Sequence, residues 1–158
     1  MNLPELNLPA YNFRITGPPG SEMIFDTIRR RFVRLTPEEW VRQNFIKYLH
    51  EEGNYPLGLI GVEVTFTMNR LKKRVDIMVH DREGEPAMII ECKSYNIGLD
   101  EKVFDQIVTY NMRFKVPYIV VTNGMINYAC KIDHENKRWE YLMAIPQYEE
   151  LIKKTGEI

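Results

Sequence analysis

The chain has 158 residues, 44% hydrophobic and 27% charged, a length and balance that suit one well-buried core and exclude an extended disordered chain. No apolar run approaches the roughly 20 residues of a membrane span, in keeping with a mean hydropathy of -0.35. A net charge of -1 and a pI of about 6.3 argue against a free-standing, non-specific DNA binder that relies on accumulated cationic charge, while local basic patches matter more than the total.

Residues 1–9 are expected to be irregular and mobile, and they lack the basic stretch and apolar segment of a secretion signal. Segments 11–16, 23–25 and 31–35 read as short strands of an N-terminal β extension covering about residues 1–35. Gly17-Pro18-Pro19-Gly20 is a turn, since a phosphate loop needs GxxxxGK[ST] and here Ser21 and Glu22 follow. Arg29, Arg30, Arg31 and Arg34 form one basic cluster, and Arg70, Lys72, Lys73 and Arg74 a second. A solvated surface explains either cluster by itself, but the second stands just before the strand that carries a site carboxylate.

Thr36-Pro37-Glu38-Glu39 is a capping box, with Pro37 suited to the first helical position and Glu39 to reaching back. It predicts a helix to about residue 51 that buries Trp40, Val41, Phe45, Tyr48 and Leu49 and ends at Gly53. Glu39 has two readings, as an arm of the cap or as an acid supplementing a site. Residues 60–66 predict a strand with Val62, Val64 and Phe66 on one face. Glu63, on the other face, either joins a site or pairs with a Lys or Arg of the next strand.

The pattern of residues 73–95 organises the rest. Val75, Ile77 and Val79 alternate with Asp76, Met78 and His80; after the polar turn 81–86, Met88, Ile90 and Cys92 alternate with Ile89, Glu91 and Lys93. Charges in strands that are otherwise apolar on both faces are costly unless paired or bound to a metal. Glu91 and Lys93 share a face, and an adjacent strand can bring Asp76 beside them, giving two carboxylates for a divalent cation next to an ammonium.

Beyond a loop at 94–99, Asp100 is expected to cap a helix to about residue 113, on which Val103, Ile107 and Tyr110 share a face with Gln106. Residues 117–122 read as a buried strand reached by a crossover helix and therefore parallel to its neighbour. Asn123-Gly124 is a turn, segments 126–133 and 137–144 a hairpin, and 148–154 a short closing helix. Cys92 and Cys130 lack CxxC spacing, so neither a disulfide nor a zinc site is implied, and reduced thiols in a cytoplasmic protein are the simpler reading. His50, His80 and His134 are not at metal-ligand spacings; His80 reads as a strand residue and the others as surface residues.

The spacing D-x14-E-x-K, followed by Q-x-x-x-Y at Gln106 and Tyr110, resembles the PD-(D/E)xK nuclease superfamily. The segments TPEEWVRQNFIKYL, RVDI, IIECK, VFDQIVTYN and PYIVVTNG resemble the N-terminal nuclease domain of type I restriction enzyme R subunits over roughly residues 35–132. Val75 replaces the proline of the superfamily's name, which removes no ligand. The resemblance implies an α/β restriction-endonuclease-like core of about residues 36–145, a mixed sheet flanked by helices, within one domain spanning 1–158. It implies a Mg²⁺- or Mn²⁺-dependent DNA endonuclease with Asp76, Glu91 and Lys93 as catalytic residues. Asp76, Glu91 and the backbone carbonyl of Cys92 would hold the metal, with Glu39 and Glu63 as further acids. Gln106, Tyr110, Lys73 and Arg74 would bind DNA or support the site. DNA is the implied partner, together with restriction-modification or helicase subunits, and a homodimer stays open. Two alternatives stand beside this reading: a non-catalytic nucleic-acid-binding or assembly module, and a nuclease active only in a complex, since the chain has no Walker motif.

Overall fold

The computed structural model describes residues 2–153. A small antiparallel sheet joins β1 (Ile15–Thr16), β2 (Met23–Asp26) and β3 (Arg31–Arg34). Helix α1 (Pro37–Gly53) follows, then β4 (Ile60–Met68), β5 (Leu71–His80) and β6 (Pro86–Cys92). Helix α2 (Glu101–Asn111) crosses to β7 (Tyr118–Thr122), and β8 (Asn127–Asp133), β9 (Arg138–Tyr141) and α3 (Tyr148–Leu151) complete the order. Strands β4 to β9 lie side by side in sequence order, antiparallel except for the parallel pair β6–β7 that the α2 crossover creates.

Alternation along β7 places the two main helices on opposite faces. Tyr118 and Val120 pack with Val41, Phe45 and Leu49 of α1, while Ile119 and Val121 pack with Phe104 and Val108 of α2. Thr36 caps α1 by accepting from the Glu39 N–H at 3.0 Å, and Asp100 caps α2 by accepting from Val103 N at 2.9 Å. The helix α1 continues through Gly53, and Asn54, at φ 58°, supplies the left-handed stop expected of the glycine. The first strand is shorter than expected, since Tyr11 and Phe13 pack on α1: Tyr11 donates to Glu52 at 3.1 Å, and Phe13 meets Trp40 edge-on at 5.2 Å.

The N-terminal segment is irregular but anchored, where a mobile arm was expected. Asn7 N–H donates to Gly124 O at 2.8 Å, the Trp40 indole donates to Pro4 O at 3.1 Å, and Leu6 and Leu8 pack on the core. The closing helix is shorter than expected, and Lys154 of that expectation lies outside the described residues. His50 and His134 are half-buried, with ring nitrogens 2.8 Å from Tyr55 O and 3.0 Å from Val116 O, so neither is a bare surface residue.

Candidate functional site

Face alternation in β4 and β5 breaks at one place. Val62 and Ile77, paired across the strands, pack into the α1 cluster, whereas Val64 and Val75, the pair two residues on, pack with Phe114 on the opposite side. Between them stand Glu63, in the left-handed region at φ 51°, and Asp76 opposite it. Strict period-2 geometry would keep Val62, Val64 and Phe66 on one face, so that expectation is corrected here. The break turns Asp76 and Arg74 toward α1 and Lys73 toward α2. Gly61 accommodates it, because a Cβ there would lie 2.5 Å from a Val64 methyl.

β5 and β6 pair up to Ile77 and Ile90 and then part, and Asp76 bridges the opening. Its Oδ2 accepts from Cys92 N–H at 2.8 Å and its Oδ1 from the Arg42 guanidinium of α1 at 3.1 Å. Glu91 points to the other side, where the Lys73 ammonium lies 2.5 Å from its Oε1. That oxygen is buried, and the Lys73 ammonium is its charged partner. Burial pushes the Glu91 carboxyl above the usual carboxylate range; Asp76 adds to the rise, and Lys73 and Lys93 oppose it. Lys93, half-buried, extends β6 by donating its backbone N–H to Thr122 O at 2.8 Å.

Glu91 and Lys93 share a cavity of about 200 Å³ with Lys73, Gln106, Ile107, Tyr110 and Asn111. Gln106 and Tyr110 therefore reach the same space as the two charged β6 residues. Tyr110 is 47% exposed, because the packing face of α2 is Phe104, Val108 and Asn111. Its ring carries Lys73 at 4.9 Å and Arg113 at 5.3 Å, so it holds cations beside the Glu91 cavity.

On the α1 side an ion-pair network supports Asp76. Glu39, 5% exposed, accepts at Oε1 from both Arg29 and Arg42 at 2.7 Å, and at Oε2 from Gln43 at 3.0 Å. Arg29 also binds Asp26 at 2.5 Å and Glu63 at 3.3 Å, and Glu63 takes Arg74 at 2.7 Å. Of the two readings of Glu63, the structure forms the pairing with the neighbouring strand. Glu39 is the hub of the network and makes no described bond back to the Thr36 N–H. Burial disfavours charge on Asp26, yet hydrogen bonds from the Arg29 side chain and the N–H groups of Ile28 and Arg29 hold it below its ordinary value.

Residues 37–146 match the family described as type I restriction enzyme R protein N terminus. The chain belongs to this family. The fold is shared with a fragment described as an HsdR subunit of a type I restriction enzyme from Vibrio vulnificus YJ016, at a TM-score of 0.52 and 20% identity over 74% of this chain. The chain spans 24% of that structure's length. No curated protein sequence matches. The R-protein N-terminal fold, a six-stranded mixed sheet with flanking helices, is thus the α/β nuclease-like architecture anticipated from the sequence.

Within this R-protein domain, no three His, Cys, Asp or Glu side chains converge among the described residues as a ready-made metal cage. The available donors are Asp76, Glu91 and backbone oxygen at Cys92. Two interacting carboxylates and a carbonyl oxygen are hard donors that fit a cation such as Mg²⁺, which completes its shell with water and phosphate oxygens. Glu39 and Glu63 are engaged by arginines. Sequence reasoning missed Arg42, although its spacing of three from Glu39 on one helix face was a readable signal. It placed Lys73 near DNA without anticipating its contact with Glu91, which depends on the break at Asp76. Among the described residues no helix is long and apolar enough to cross a membrane.

Proposed function

We infer that the protein is the nuclease module of a restriction system, hydrolysing DNA phosphodiesters with the help of Mg²⁺ or Mn²⁺. The observation that carries the reading is the opening between β5 and β6, which Asp76 spans through the Cys92 N–H, near enough to Glu91 for the two carboxylates to repel, with Lys93, Gln106 and Tyr110 at the Glu91 cavity. A bound divalent ion would supply an activated water and neutralise charge on the non-bridging oxygens. Asp76 and Glu91 would hold that ion, and Cys92 N–H fixes the Asp76 carboxylate in orientation. Lys93 orients the attacking water or donates to the phosphate as charge builds on it. Gln106 and Tyr110, with the cations Lys73 and Arg113 on its ring, position the strand, and Arg74 stands on the α1 side near the entering backbone.

The family name brings DNA and the other subunits of a restriction complex as partners. A second reading, a nucleic-acid-binding or assembly module that retains the fold, is favoured by one observation: Arg42 and Lys73 already neutralise Asp76 and Glu91. Incubating supercoiled and linear DNA with the protein and Mg²⁺ or Mn²⁺ separates the two. The nuclease reading expects metal-dependent cleavage that disappears in a folded Lys93→Ala variant. Undiminished cleavage by that variant removes Lys93 from the mechanism, and DNA binding without cleavage under every metal condition, alone or with the partner subunits, favours the second reading.

A further inference from the structure

Residues 10–35 hold five arginines against two acids, in a chain whose formal net charge is -1. One arginine, Arg29, turns inward and is consumed by Asp26, Glu39 and Glu63. Of the two acids, Asp26 is buried against Arg29, and Glu22 accepts from Gly20 N–H at 2.8 Å. The other four arginines, Arg14, Arg30, Arg31 and Arg34, are exposed, and among the described residues none has a carboxylate at ion-pair distance. Arg29, Arg42, Arg74, Arg82 and Arg138, by contrast, each have such a partner. Arg14 is fixed rather than dangling, its guanidinium 4.7 Å above Phe25 and 5.4 Å above Phe32, a ring pair directly opposed across β2 and β3.

This surface borders the candidate site. A cleft of about 560 Å³ runs between Val33 and Arg34 of β3 and Glu38 and Arg42 of α1, reaching Ser94 next to Lys93. Arg42 binds Asp76 from that cleft, and Glu38 lies within electrostatic reach of both Asp76 and Lys93. We propose that the β1–β3 sheet is a phosphate-binding wall that guides the DNA backbone into the cleft beside Asp76. The occupant is DNA because arginines without carboxylate partners, spaced along a sheet and leading to a carboxylate pair, complement a run of phosphates. The proposal rests on the DNA-processing reading above, and its test does not require cleavage.

The experiment measures affinity for a duplex oligonucleotide in EDTA as salt is varied, for wild type and two triple variants of equal net charge. One is Arg30→Gln/Arg31→Gln/Arg34→Gln; the other is Lys131→Gln/Lys137→Gln/Lys153→Gln, all at exposed positions away from the cleft. Losing three phosphate contacts lowers the log–log salt slope by about 2.7, so from about 50 to about 200 mM salt wild type loses about 40-fold more affinity than the arginine variant. The lysine variant keeps the wild-type slope. An unchanged slope in the arginine variant overturns the wall and leaves an acidic protein surface as its occupant, and equal slope losses in both variants overturn it in favour of diffuse electrostatics. Wild type that fails to bind the duplex also overturns it. Failure of the nuclease reading looks different: DNA is bound with the predicted slopes but is never cut.

Discussion

Glu39→Ala should be among the most damaging single substitutions in the chain that touch no apolar core residue. The carboxylate is 5% exposed and receives two guanidinium hydrogen bonds at 2.7 Å and one amide hydrogen bond at 3.0 Å. Removing one partner from a buried ion pair costs about 3–5 kcal/mol, because the charges left behind are neither solvated nor neutralised. Arg29 keeps Asp26 and Glu63, and Arg42 keeps Asp76 and Glu38, so the lower end applies, about 3 kcal/mol. For a chain of this size that loss lowers Tm by about 6–12 °C. Urea titration of wild type, Glu39→Gln and Glu39→Ala reads the difference directly, with the Gln variant intermediate because it keeps an acceptor but no charge. A loss under about 1 kcal/mol for Glu39→Ala with unchanged m-value, the range of exposed pairs, would mean that water reaches the network and that Glu39 is not its hub.

Asp26→Asn should flatten the acid limb of stability. The folded-state value of Asp26 is depressed, so its contribution is fully present above the ordinary aspartate value of about 3.9 and is lost as pH falls through the folded value. The stability gap between wild type and Asp26→Asn should therefore be widest near neutral pH and close below about pH 4; a gap that widens in acid contradicts the pairing with Arg29. Gln106→Ala should leave Tm unchanged, since the side chain is exposed, and Tyr110→Ala should cost only about 1 kcal/mol, the scale of partly exposed cation–π contacts. Both should weaken DNA binding in a titration, and a core-sized thermal loss for Tyr110→Ala would show that its ring packs on the sheet after all. Gly124→Ala adds a Cβ 2.9 Å from Leu6 at φ +83°, and should cost about 1–2 kcal/mol and speed limited proteolysis within residues 2–9. Unchanged proteolysis would mean that the N-terminal segment does not depend on this contact.

Much of the scaffold was legible because it is local. The alternation of β5 and β6, the caps at Thr36 and Asp100, and the buried run of β7 after a crossover helix are written in residue types and spacing. So was the neighbourhood of Glu91, Lys93 and Gln106, which follows from one strand and the next helix. The sidedness of Asp76 was not, because it depends on a non-glycine residue, Glu63, adopting a left-handed backbone that no sequence signal announces. That break decides which cation meets which carboxylate, so Arg42 on Asp76 and Lys73 on Glu91 were invisible for the same reason. The burial of Arg42, Gln43 and Asn44 on α1 contradicts amphipathic patterning, since the helix packs against the small sheet's ion pairs as well as the apolar core. The docking of Leu6 and Asn7 depends on Gly124 more than a hundred residues away, a contact that composition cannot reveal.

The central claim is that Asp76 and Glu91 together hold a divalent cation, and thermal melts with and without Mn²⁺ or Mg²⁺ at matched ionic strength test it most directly. A ligand that binds only the folded state stabilises it by about 2.7 kcal/mol at about 100 times Kd. Wild type and Glu39→Gln should both show that gain, because Glu39 serves arginines, while Asp76→Asn and Glu91→Gln should gain far less at the same metal concentration. Equal gains in all four proteins would contradict the account, since the metal would then bind somewhere other than the opening between β5 and β6.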